Sequence, residues 1–202
     1  MQTFAQLKKN LKKDFSGLVP VKIALLGDTA TQLLAQALRG AGYDDGFNLE
    51  IWEADFNQIE RQVFDDTSEL FEYKPDIVII FHSTHKLLAK YNKLKPADRS
   101  GLAQGRMDLI EQINDKVKEQ LKAKIIYYNY TEIDDAVFGN YAGKITSSFL
   151  FQLRKLNFEL MQFAVNQNNF YLCDISTIQN QVGKNSFFHS SVYINTEMVL
   201  SL

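Results

Sequence analysis

Gly27-Asp28-Thr29 places a carboxylate and a hydroxyl at the end of the apolar run 22–26, just before a helical pattern that begins at Thr31. Two chemistries suit that position. Asp28 or Thr29 can accept hydrogen bonds from the free N–H groups of the first helical turn and so cap it. Alternatively Thr29 is a nucleophile, and the same N–H groups and helix dipole favour an anion or a developing oxyanion beside it. Gly27 permits the tight turn in either case. The pattern is neither the glycine fingerprint of a dinucleotide site nor a phosphate loop with its lysine.

Further along the chain, other polar residues follow apolar runs. Asn57 follows the second run, and "FHSTHK" follows the third with His82, Ser83, Thr84 and His85. A metal site would need a third ligand beside the two histidines, and the zinc helix motif needs another spacing and a glutamate, so no metal and no cofactor is expected. Asn129, Thr131, Glu132, Asp134, Asp135 and Asn140 make the loop after the fourth run polar, and His189 lies in the segment after the fifth. A hydroxyl, amide side chains and a late histidine at one edge suit acyl transfer. In that reading Thr29 attacks and His189 takes its proton. The Thr29 N–H, with Ser83 or Thr84, holds the oxyanion. The threonine β-methyl restricts χ1 in such an elbow. Gly27, Asp28, Asn57, Ser83, Thr84, Asn129 and Asn140 are the expected substrate contacts.

These residues need a scaffold that brings them together. Five short, nearly continuous apolar runs, 21–26, 49–52, 77–81, 124–129 and 170–174, read as strands covered on both faces. Helical patterns at 31–40, 60–73, 106–121 and 147–167 lie between them. The alternation predicts right-handed crossovers and a three-layer α/β/α sandwich around a five-stranded parallel sheet. The order 2-1-3-4-5 is expected by analogy with flavodoxin-like sheets, with ligands outside the carboxyl ends of the strands. In the 147–167 helix, Phe149, Leu150, Leu153, Leu156, Leu160, Met161 and Ala164 form a core-facing stripe. An amphipathic helix at 3–13 lies outside the sheet, its lysines solvated, so residues 1–20 read as a lead-in and 21–202 as the α/β domain.

The 202 residues suffice for one such domain. A formal charge of -2 gives no bulk attraction to nucleic acid. No apolar run approaches the ~18 residues of a membrane span, and the N-terminus lacks the apolar core of a signal peptide. A cytoplasmic protein with neither nucleic-acid nor membrane partner is expected. Cys173, the single cysteine, sits in "FYLCDI" and reads as a buried structural thiol. The ending "TEMVLSL" reads as a cut between domains of a longer protein.

The Gly-Asp-Thr turn and the late histidine resemble the SGNH (GDSL-type) hydrolases, in which a Gly-Asp-Ser turn carries the nucleophile and an Asp-x-x-His motif the base. Thr29 stands where that serine would be. Ser83 and Thr84 occupy the region of the family's Gly-x-Asn-Asp, and Ser186 stands three residues before His189 in place of the aspartate. A resemblance over nearly the whole chain is carried by "KIALLGDTATQLLAQAL", "SELFEYKPDIVIIFHSTHKLL", "AVFGNYAGKITSSFLFQLRKLNFELM" and "YINTEMVLSL". These segments resemble the N-terminal, SGNH-hydrolase-like domain of FkbH-like multidomain proteins (HAD superfamily, subfamily IIIC). The resemblance implies a downstream HAD-type domain and an acyl carrier protein as partner, since family members load a glyceryl unit onto such a carrier. The magnesium-binding HAD signature, Asp-x-Asp-x-Thr, does not occur in these residues.

Three readings stand side by side. The domain binds a small acyl or carbohydrate ligand, free or carrier-linked, for the downstream domain, its catalytic motifs being degenerate. It is an esterase or acyltransferase using Thr29 and His189. Or it is an interdomain scaffold.

Overall fold

A computed structural model describes residues 2–133 and 135–188. The elements follow in the order α1 (Phe4–Asn10), β1 (Val19–Gly27), α2 (Gln32–Asp44), β2 (Phe47–Glu53), α3 (Ile59–Phe64), α4 (Glu69–Tyr73), β3 (Ile77–Phe81), α5 (Thr84–Lys93), α6 (Leu102–Lys116), β4 (Lys124–Tyr128), α7 (Phe149–Val165), β5 (Phe170–Cys173), α8 (Ile175–Val182) and α9 (Lys184–Phe187). The five strands form one parallel sheet in the order β2-β1-β3-β4-β5, as expected.

Successive side chains of a strand point to opposite faces, so each apolar strand feeds two cores. Ala24, Leu26, Val78, Ile80, Ile125 and Tyr127 face one way and pack under α3 to α7. Ile23, Leu25, Ile79, Phe81 and Tyr128 face the other way, where Ala35 of α2 and Ile175 of α8 cover them. Full burial of each large aliphatic side chain contributes about 1.5–3 kcal/mol. The sandwich is therefore held from both sides of β1, β3 and β4.

Three helical expectations need correction. The helix expected over 60–73 is two, because the Asp65 side chain accepts from the Thr67 N–H and hydroxyl at 2.9 and 2.6 Å and turns the chain between α3 and α4. Helix α5 follows β3 directly, capped by Ser83, where only a polar loop was expected. On α7, Phe149, Leu153, Leu156 and Leu160 are buried, but Met161 is half exposed. It follows Leu160 by one residue, about 100° round the helix and off the stripe. Helix α1 packs on α2 through Gly40, where a Cβ would collide with the Leu7 carbonyl. Asn10 secures that contact by donating to Gly40 O at 2.9 Å and to Asp44 at 2.6 Å. Among the described residues no helix is long and apolar enough to cross a membrane.

Candidate functional site

The carboxyl ends of β1, β3 and β4 meet in a buried polar cluster. Its floor is the turn after β1. Asp28 N–H donates to Phe81 O and Asn57 N–H to Gly27 O, both at 3.1 Å, which ties the turn to the strands on either side. A Cβ on Gly27 would stand 2.5 Å from Thr31 Cγ2, so the turn closes this tightly only with glycine.

Neither Asp28 nor Thr29 caps α2. The N-cap is Thr31, whose hydroxyl donates to Glu53 at 2.9 Å instead of accepting from the helix. The Asp28 carboxylate crosses to the next strand and accepts the Ser83 N–H at 2.9 and 3.0 Å. It is 6% exposed, and burial pushes its carboxyl up to about 6, against the Ser83 bonds and the Arg106 and Lys86 charges. Thr29 is fully buried, and its hydroxyl has no hydrogen-bond partner among the described residues.

Beside Asp28, His82 Nδ1 lies 2.8 Å from the Tyr127 hydroxyl, which lies 2.9 Å from that of Tyr130. Burial, with the Arg106 and Lys90 charges, holds His82 well below its usual value, so the ring is neutral. Burial raises both tyrosines, which keep their protons. Arg106 reaches this cluster from α6 and is 7% exposed. The charges of Glu60 and Asp28 act on it. Its Nε and Nη1 are shut from solvent and unbonded among the described residues, as is His82 Nε2.

Of the residues singled out from sequence, Gly27, Asp28, Thr29, Ser83 and Thr84 come together here. The Ser83 and Thr84 hydroxyls have structural partners. Ser83 Oγ accepts from Lys86 N–H to cap α5, and Thr84 donates to Thr131 O at 2.8 Å. Asn129 is turned away, donating to Asp174 at 2.7 Å and accepting from Ser176 N–H at 3.2 Å. Asn57 is exposed at a positive φ of 65°, and Asn140 is exposed on a 3-10 turn. Glu132 is part of a clamp: Arg154 and Lys184 pair with its carboxylate, and Gln179 bonds its backbone to α8. Asp134 and His189 lie outside the described residues. The chain does return to this rim just before His189: the Phe188 ring stacks on His85 with centroids 4.1 Å apart. His82 stood out only as a loop residue, whereas it continues the inward parity of Val78 and Ile80. Arg106 went unnoticed, yet with Ile110, Ile113 and Val117 it falls at spacings of four, three and four on the buried face of its helix. Among the described residues, no group of three or more His, Cys, Asp or Glu side chains could hold a metal.

Comparison with known proteins bears on this site. A solved structure described as the N-terminal part of the protein BF1531 from Bacteroides fragilis, containing a phosphatase domain and complexed with Mg, is 46% identical with a TM-score of 0.94. The match covers 100% of this chain and 52% of that one, so the chain spans about half its length. An acetyl xylan esterase, AlAXEase, is 13% identical over 80% of this chain and 98% of that one, with a TM-score of 0.36, too weak a likeness to inform the fold or the chemistry. A search of the curated proteins finds no match. The family model for the FkbH N-terminal domain matches residues 22–202, and the chain belongs to that family.

Proposed function

We propose that this is an SGNH-like domain whose catalytic motifs have degenerated, and that it binds an acyl ligand, free or carrier-linked, at the carboxyl edge of its sheet. One observation carries the reading: the Thr29 hydroxyl is fully buried and meets no base among the described residues, while the Ser83 and Thr84 hydroxyls, the other candidates for acyl-transfer chemistry, are bonded to backbone. A nucleophile without a general base forgoes roughly a hundred- to ten-thousand-fold in rate. The polar groups that remain at the cluster suit holding a ligand. In this reading the domain is cytoplasmic and serves a HAD-type domain further along the same chain. The phosphatase domain of the BF1531 structure supports such a neighbour.

The test pairs turnover with binding. Hydrolysis of p-nitrophenyl acetate and of acetyl-pantetheine should be equal for the parent and Thr29→Ala, while acetyl-pantetheine shifts the backbone amide resonances of Thr29 and Ser83. A second reading, ester or thioester hydrolysis by Thr29 with His189 as base, draws on the return of the chain to the rim at Phe188. Turnover lost in both Thr29→Ala and His189→Ala would replace the binding reading with that one.

A further inference from the structure

Arg106 presents an unsolved polar problem in the interior. Its Nε and Nη1 carry N–H groups that find neither solvent nor a partner among the described residues, although the side chain is 7% exposed. A buried charged donor left unbonded costs more than a neutral one, so such donors mark places where an acceptor belongs. Two carboxylates, Glu60 and Asp28, act on Arg106 through their charge, but neither is bonded to it, and that of Asp28 is engaged by the Ser83 N–H. Two further buried groups at this edge of the sheet, Thr29 Oγ1 in the turn after β1 and His82 Nε2 at the end of β3, are also unbonded among the described residues. The cluster thus offers a fixed positive charge, a hydroxyl and a ring nitrogen from α6, the β1 turn and the end of β3.

We propose that Arg106 is an anion-binding residue that receives the carboxylate of a small organic acid on its unbonded N–H groups. The inference rests on reading this mouth as a ligand site and names the group that the ligand presents to it. A carboxylate is favoured over phosphate because the one guanidinium neutralises a single charge in this buried place, and the cost of taking an anion out of water grows with the square of its charge. The charged and titratable groups facing Asp28 are Arg106 from α6, Lys86 from α5, the neutral His82 at the end of β3, and Tyr127 and Tyr130 from β4 and the loop after it.

The test follows the Arg106 side-chain Nε–H resonance in the 15N-labelled 202-residue chain. It is run at about pH 7.5, where inorganic phosphate is largely dianionic and Asp28 ionised. Sodium acetate is titrated against sodium chloride at equal ionic strength, with inorganic phosphate as a second arm. Through-bond assignment needs no substitution, so the outcome does not depend on whether Arg106→Lys folds. The expected result is a saturable shift of the Arg106 Nε–H and the Ser83 amide with acetate, at least about ten-fold tighter than with phosphate. If the Ser83 amide moves and Arg106 does not, the assignment of Arg106 falls and the binding reading survives. If neither moves, both fall. Equal or tighter phosphate binding overturns the choice of a carboxylate.

Discussion

Replacing Asp28 with asparagine keeps the shape of the side chain and an acceptor for the Ser83 N–H while removing the charge. Burial raises the Asp28 carboxyl from 3.8 to about 6. A carboxyl raised on folding holds its proton more tightly in the native state than in the unfolded chain. Its contribution to stability is therefore fully present below pH 3.8 and is lost as pH rises through 3.8 to about 6. The rise corresponds to about 3 kcal/mol. Asp28→Asn should thus be about 3 kcal/mol more stable than the parent at neutral pH, or about 6–12 °C in Tm for a chain of this size. The two should converge below pH 3.8, the lower bound of the window. Urea unfolding followed by the fluorescence of Trp52, the single tryptophan, measures both proteins across the range. His82 and His85 are held below their usual values and weaken the fold as pH falls, but they are common to both proteins and cancel in the difference. A variant less stable than the parent at neutral pH, with the deficit vanishing in acid, would refute the reasoning, because the Arg106 charge would then outweigh burial.

Other substitutions probe the same region. Thr29→Val removes the unbonded hydroxyl at nearly constant volume and should raise stability by about 1 kcal/mol in urea unfolding, since an unsatisfied buried hydroxyl costs roughly 1–3 kcal/mol. Gly27→Ala forces a methyl against Thr31 Cγ2 and should cost about 1–3 kcal/mol. The Thr31 bond to Glu53 should loosen with it, read as a shift of the Thr31 amide resonance. His85→Gln should flatten the loss of stability in acid. Burial lowers His85 from 6.5 to about 4, so its contribution is present above pH 6.5 and lost as pH falls through about 4, a limb that pH-dependent unfolding of the variant should lack.

The sheet was legible because β1, β3 and β4 are covered on both faces, which leaves continuous apolar runs such as "IALL" and "IVIIF". Helix α5 was hidden by its polar start, "STHK", although Ser83 has the side chain of an N-cap and does cap it. The break between α3 and α4 was written in "DDTS", a turn-forming set whose Asp65 bonds Thr67. The site was only half legible. Gly27 to Thr29 announces itself by position, but the inward turn of Arg106 is a tertiary fact, since a long basic side chain in a helix is ordinarily solvated. The partners of Thr84 and Asn129 could not be read at all, because each bond joins the rim to a neighbouring segment whose distance in space the sequence does not state.

The placement of β1 between β2 and β3 has a consequence for biosynthesis. If the strands pair in the order of synthesis, β2 docks on one side of β1, then β3 on the other, and β4 and β5 extend the sheet outward from β3. Every strand after the first adds to an edge that already exists, so no finished pairing has to be reopened. The polar cluster matures in the same sequence. Asp28 and Thr29 are made first, then Ser83, then Arg106, and the two tyrosines of the cluster come only with β4 and the loop after it.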